Sequence, residues 1–427
     1  MTLKQALPLF LYKNVTKLLQ PFAKSFLGGR VKRGKEDLGR IGERLGIASK
    51  PRLEGKLFWL HAASVGEFMS LMPIIQHLQA QNVPMLVTTG TVTSATVAAQ
   101  RLPSSAVHQF IPLDIPAYVA RFLDYWTPDL AIFTESELWP NLICYAAQNS
   151  VPMVIINGRL SARSFSRWQK MPSFIKALLS KMDFCLAQTQ EDADRFRALG
   201  ARHVQNAGNL KFDCAPLPVH EKSLNDFLSA TDGRKIWLAA STHEGEECIV
   251  VEAHTKIKQN YPNVLSVIVP RHPERGAALA DVIRLGGLSV CIRSKGEIPS
   301  ADTDVYIADT IGELGLFYRA CRAALIGCSL FAPGGGHNPI EAAQLGTVIL
   351  FGAHIRNFTS VYTALEGDGC LKVSTANDIA DALDRIFGDE TYYIKTGGVL
   401  QKTVEQLGGA AETLMSALQP YIDRPSA

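Results

Sequence analysis

The stretch HAASVGEF, residues 61–68, holds one carboxylate, Glu67, among Ala62, Ala63, Ser64, Val65 and Gly66, directly after the apolar run LFWL. An acid where a strand turns into a helix has two physical readings. It can be an ordinary first-turn glutamate, favoured by the helix dipole. It can also be a general base, its ionisation balanced between that dipole and desolvation in a crevice, with Gly66 and the alanines admitting a bulky ligand. TESELWPN, residues 134–141, repeats the arrangement: Glu135 and Glu137 follow the run DLAIF. Strand alternation would aim one of the two at a crevice. There it would oppose positive charge on a substrate carbon, unless it caps the helix expected at Trp139. NGRLSARSF (157–165) and GNLKFD (208–213) place Arg159, Arg163 and Lys211 after strands as contacts for anionic groups.

The second half offers different chemistry. VIVPRHPER puts Arg271 and His272 directly after a buried strand, with Pro270 fixing the turn. DTIGELGLFYRA brings Gly312, Glu313, Leu314 and Gly315 to the start of a helix. APGGGHNPIEAAQLG brings Gly334, Gly335 and Gly336, then His337, Asn338, Pro339, Ile340 and Glu341, with Pro339 expected at the first helical position. Glycine lets a ligand touch the main chain, and free amides at a helix start attract phosphate. Glu341, one turn in, suits a ribose diol. The pattern is neither a Walker loop nor GxGxxG. A nucleotide site in the second half and carboxylates in the first suit group transfer from a sugar nucleotide to a hydroxyl.

These residues need sheets to position them. From residue 57, runs such as KLFWLHAAS, PMLVTTG, DLAIFTES and VPMVIING alternate with helical spacings. That alternation argues for a parallel sheet covered on both faces. A polar passage near residues 212–235 interrupts, and the alternation resumes with six strand-like runs from KIWLAAST to VILFGA, ending in the helical AETLMSALQPYI. The expected organisation is a basic N-terminal segment (1–35), a first Rossmann-like domain (36–215), a linker (216–235) and a second such domain (236–427), the two facing across a cleft where ligands bind at strand carboxyl ends.

At helical period, Leu3, Leu7, Phe10, Leu11, Val15, Leu18, Phe22 and Phe26 form an apolar stripe, with Lys13, Lys17 and Lys24 on another side and Arg30, Lys32, Arg33 and Lys35 following. Pro8 and Pro21 should divide it into shorter helices. The run is too short for the ~20 apolar residues of a spanning helix. It suits either a helix lying in an anionic membrane surface or one packed on the domain. With 47% hydrophobic and 19% charged residues the chain is globular, and a net charge of +3 excludes a polyelectrolyte binder of nucleic acid. Eight irregularly spaced cysteines suggest reduced core thiols, with neither a zinc site nor a disulfide framework.

SVGE, TESELWPN, NGRLSARS, GNLKFD, PRHPER, GELG and GGHNPIEAAQLG, in this order, closely resemble the 3-deoxy-D-manno-octulosonic acid (Kdo) transferases of lipopolysaccharide assembly. The resemblance runs from the basic segment to about FGAHIRNF. It implies a GT-B glycosyltransferase fold, CMP-Kdo as donor, a lipid A precursor (lipid IVA) as acceptor, no cofactor or metal, and an inverting reaction at the cytoplasmic face of the inner membrane. It assigns the base to Glu67, opposition to developing positive charge to Glu137, and transition-state stabilisation to Lys211. CMP contacts fall on Arg271, His272, Gly312, Glu313, Leu314, Asn338, Pro339, Ile340 and Glu341, and Arg159 and Arg163 remain for the acceptor. The alternatives are a UDP-sugar transferase with a lipid-linked acceptor and a non-catalytic lipid A or nucleotide binder.

Overall fold

The computed structural model describes residues 3–367 and 369–424, with side chains from Leu7 onward, so Leu3 of the expected stripe contributes no described side chain. Two α/β units form. The first runs from the N-terminus to Cys214 and takes back the chain from Leu407; the second is Ala215–Gln406.

The first sheet contains β1 (Phe58–Ala62), β2 (Met85–Thr89), β3 (Ala106–Phe110), β4 (Leu130–Thr134), β5 (Met153–Gly158), β6 (Phe184–Ala187) and β7 (Val204–Asn206). All pairings are parallel, in the order β3-β2-β1-β4-β5-β6-β7. The near-continuous apolar runs are explained by burial on both faces. Phe58, Leu60 and Ala62 enter one core, while Trp59 enters the other, edge-on to Phe122 and Phe133.

The second sheet contains β8 (Ile236–Thr242), β9 (Leu265–Pro270), β10 (Val290–Ile292), β11 (Val305–Ile307), β12 (Ala323–Ile326), β13 (Val348–Phe351) and β14 (Cys370–Lys372). Its order is β10-β11-β9-β8-β12-β13-β14, again all parallel. In each sheet the winding direction reverses beside the first strand, between β1 and β4 and between β8 and β12. Open α/β sheets bind ligands at such switch points, outside the strand carboxyl ends.

Three expectations about organisation change. The stretch expected as a linker, 216–235, belongs to the second unit: its helix Glu221–Ala230 buries Phe227 against Tyr306 and Phe317. The terminal helix Ala410–Ile422 leaves the second domain, since Leu414, Met415 and Leu418 sit in the first unit's core with Ile74 and Leu78. Asp213 fastens its start, accepting from the Gly409 and Ala411 amides. At the N-terminus, one helix runs Leu3–Leu18 straight through Pro8, and the break comes at Pro21, in a single 3-10 turn before the helix Ala23–Val31. Leu9, Tyr12, Ala23 and Leu27 face the domain. The stripe from Leu7 to Phe26 is exposed, so packing and outward display occur on opposite sides of the same helices. No helix among the described residues is long and apolar enough to cross a membrane.

Candidate active site

At the first unit's switch point, β1 ends at Ala62, and Ser64 caps the helix Val65–Ser70 by accepting from the Glu67 amide. Glu67 therefore is a first-turn residue, and it turns its carboxylate back over the cap. Oε2 accepts from the Ala63 amide at 2.9 Å and the Thr134 hydroxyl at 3.1 Å, and Oε1 from the Ser64 hydroxyl at 2.8 Å. Despite these donors its pKa is raised, first by burial and then by the charge of Glu135, with a smaller push from Glu137. A half-buried carboxylate held by three donors and kept basic by neighbouring carboxylates is suited to taking a proton.

β4 stops at Thr134, so alternation does not carry through TESE. Glu135 adopts a left-handed conformation, φ 51°, and pairs with Lys211 at 3.3 Å. Glu137 accepts from the Trp139 indole at 2.9 Å and lies 3.6 Å from His61 Nε2. Although burial opposes it, the net shift of Glu137 is downward, through His61 and Trp139. Both glutamates thus act at Glu67. The capping alternative fails: Asp114 accepts the Asn141 and Leu142 amides at the start of the helix Pro140–Gln148. Lys211 reaches the group from the 3-10 turn Leu210–Asp213, which Asn157 and Asn209 hold through the Leu210 and Lys211 amides. Arg159 is half-buried just past β5, whereas Arg163 is exposed on the next helix.

In the second unit the strand order β11-β9-β8-β12 sets the predicted nucleotide residues side by side along one carboxyl edge. Arg271 and His272 follow β9, both exposed, with the Arg271 amide bonded to the Thr242 carbonyl at 3.0 Å. Gly312 is exposed at φ +89°, which disfavours any side chain there. Glu313 is engaged by Arg293 through both carboxylate oxygens and by Thr310, and Leu314 starts the helix Leu314–Ala320. Beside Glu313 lies a cavity of about 330 Å³ lined by Phe227, Arg293, Pro299 and Tyr306.

The glycine turn works differently from expectation. The Gly335 and Gly336 amides donate to the Cys328 carbonyl at 2.9 and 2.7 Å, so they close the loop and are not free for phosphate. A Cβ on Gly334 would sit 2.4 Å from the Phe331 carbonyl oxygen, which explains glycine there by packing. Pro339 precedes the helix Ile340–Gln344 as its cap instead of beginning it. Asn338 bridges the turn, donating to Glu341 at 3.2 Å and accepting from the Ile340 amide. Burial raises the Glu341 carboxyl to about 7.

Sequence reasoning left several contributors unassigned. His61, buried on β1, and Thr134, which also bonds the His61 carbonyl, position the first group. Glu246 organises the second: 2% exposed, it accepts the amides of His243, Cys328, Ser329 and Leu330 at 2.8–3.0 Å. His243 and His337 meet beside it. HEGEE after β8 mirrors SVGE after β1 in placement, and that parallel was the available signal. The cysteines also divide: none of the eight is in a disulfide, but only Cys185, Cys321 and Cys370 are buried.

Paired parallel α/β units of this kind are the GT-B architecture. The UDP-GlcNAc 2-epimerase of Neisseria meningitidis superposes with a TM-score of 0.60 at 15% identity, covering 86% of this chain and all of that one (100%). A glycosyltransferase of Rickettsia africae gives 0.57 at 11% identity, covering 87% and 100%. Those likenesses concern the fold, and sequence is narrower. The family model described as 3-deoxy-D-manno-octulosonic-acid transferase (kdotransferase) matches residues 39–214. The 3-deoxy-D-manno-octulosonic acid transferase of Haemophilus influenzae is 33% identical over 429 residues, 97% of this chain and 99% of that protein. Its Bordetella pertussis counterpart is 34% identical, over 85% and 87%. The chain belongs to the Kdo transferase family of glycosyltransferases.

Proposed function

We propose that the protein moves Kdo from CMP-Kdo to a hydroxyl of a lipid A precursor in a single inverting displacement, with Glu67 as general base. The observation that carries this is the Glu67 carboxylate: fixed by Ala63, Ser64 and Thr134, yet raised in pKa by burial and Glu135. As the acceptor oxygen attacks the anomeric carbon, Glu67 takes its proton, and the bond to CMP breaks on the opposite face. Positive charge builds on the sugar, and Glu137, kept ionised by His61 and Trp139, opposes it. Lys211 balances the Kdo carboxylate or the departing phosphate, a preorganised charge of the sort that contributes most to such barriers. CMP leaves as a phosphate monoester, which Arg271 and His272 suffice to receive, so the route needs no metal ion. Gly312, Glu313 and Leu314 border the cytidine, while Asn338, Pro339, Ile340 and Glu341 border the ribose. Arg159 and Arg163 serve the acceptor's anionic groups. The enzyme works from the cytoplasmic face of the inner membrane, lying on it through its N-terminal helices.

The test is mass spectrometry of a lipid A precursor incubated with CMP-Kdo and the protein. A Kdo adduct is expected, and Glu67→Gln should lower its rate by about 100- to 10,000-fold while CMP affinity stays near wild type. Transfer from UDP-sugars alone, or unaltered turnover in Glu67→Gln, would reject the reading.

A further inference from the structure

The second unit's switch point holds an imidazole pair that the chemistry above leaves unused. His243 directly follows β8, and His337 ends the glycine turn after β12. Their Nε2 atoms are 3.1 Å apart and their rings stack with centroids at 5.3 Å. Ser241 and Cys328, on either side of the pair, hold left-handed backbone at φ 58° and 59°. Non-glycine residues keep such conformations where the surroundings force them, most often at functional sites.

The charged surroundings identify the ligand class. His243 faces Glu246, His272, Arg271 and Arg275, and His337 faces Arg271 and His243, with the Tyr362 hydroxyl on its carbonyl. The Cys328 thiol lies within 4.8 Å of both ring nitrogens. The lone pairs of Glu246 are spent on four backbone amides, which leaves it none to offer a metal ion, whereas Arg271 and Arg275 beside the rings can still meet an arriving anion. Burial and then Arg271 push His337 down to about 4, and burial lowers His243, which leaves both rings neutral near pH 7. Of the two ring protons of a neutral pair in Nε2 contact, one lies between the Nε2 atoms and the other sits on the acceptor ring's Nδ1, so neither ring has a spare Nε2–H for an arriving oxygen.

We propose that His243 and His337 form a paired contact for a phosphate oxygen of the nucleotide donor, and that the pair gains a proton when that oxygen arrives. The proposal rests on the second unit being the nucleotide site. The incoming anion offsets Arg271, one ring takes up a proton and becomes imidazolium, and its positive charge answers the anion while both rings present an Nε2–H. When CMP departs the proton returns to solvent, so donor binding and proton uptake are linked.

Calorimetry of CMP and of cytidine, near pH 7.5 in buffers of different ionisation enthalpy, tests this. There the phosphate, with a second pKa of about 6, is already a dianion, and Arg271 and Arg275 beside the pair favour that form, so uptake on binding reports the imidazoles. CMP should bind with uptake approaching one proton, and cytidine with none. His337→Gln and His243→Gln should each weaken CMP about tenfold, abolish the uptake and leave cytidine unchanged. CMP binding without uptake, equal uptake with cytidine, or uptake that EDTA removes would each overturn the proposal while the nucleotide reading stands. Failure of the folded protein to bind CMP at all would reject that reading as well. The wild-type comparison decides the matter even if a variant does not fold.

Discussion

Glu135 is the residue whose assignment changes most. Its place in TESELWPN left it interchangeable with Glu137, because alternation was the only guide to direction. The end of β4 at Thr134 and the left-handed turn at Glu135 remove that guide. The two acids then diverge: Glu137 is drawn down by His61 and Trp139, while Glu135 pairs with Lys211 and is the larger charge raising Glu67. A base with a raised pKa is protonated, and idle, below that value, so kcat/KM should rise with pH through it. Glu135→Gln deletes a negative neighbour and frees the Lys211 ammonium from one partner, and both changes favour the ionised form of Glu67. The acid limb of the kcat/KM profile should therefore move to lower pH in Glu135→Gln. Profiles measured side by side check this, and a limb that stays in place or moves upward would mean that Glu135 does not tune Glu67, the proposed base. Glu67 itself was legible in position. Its support was not, because Thr134 lies 67 residues away in sequence and only the β1–β4 pairing brings the two together.

Elements set these residues by borrowing backbone amides from one another. Glu246, at the start of the helix Glu246–Ile257, holds the loop after β12 through three amides and its own turn through a fourth. Glu246→Gln keeps the shape but turns an amide NH2 toward donors, so some must go unpaired while buried. The expected cost is about 2–4 kcal/mol of stability, read as a lower midpoint in denaturant with CMP weakened in parallel. An unchanged midpoint would mean the loop is held by other contacts. The same borrowing explains what sequence could and could not foretell. Strands such as Leu130–Thr134 were plain because burial on both faces demands unbroken apolar runs. β14, only Cys370–Lys372, buries too little to leave that mark, and the seventh strand went unexpected. The terminal helix was readable as a helix, but its apolar face says only that it must be covered. Leu414 and Leu418 meet the first unit's core through contacts far apart in sequence, which no local pattern encodes.

At the scale of the molecule, its N-terminal helices present one face to the first unit and another to solvent. Phe10, Leu18 and Phe22 are 62%, 74% and 67% exposed, an expensive display for a surface that stays in water. Lys13, Lys17, Lys24, Lys32, Arg33 and Lys35 are exposed along the same stretch. Burying a large apolar side chain contributes about 1.5–3 kcal/mol, and each basic residue near an anionic leaflet about 1 kcal/mol. Several of each suffice for reversible attachment without a spanning helix, which suits an enzyme whose proposed acceptor stays in the bilayer. Deleting these helices would be a poor test, because Leu9 and Tyr12 cover the first unit and Tyr12 donates to Asp114 at 3.0 Å. Phe10→Glu with Leu18→Glu alters only the outward face. That double variant should keep its melting temperature and CMP affinity while losing most sedimentation with anionic liposomes. The wild-type protein should bind neutral liposomes more weakly and release from anionic ones as salt is raised, since the basic groups are screened over about 8–10 Å at moderate ionic strength. Equal sedimentation of variant and wild type would mean that the exposed stripe meets something other than lipid, and the proposed attachment through the N-terminal helices would fall.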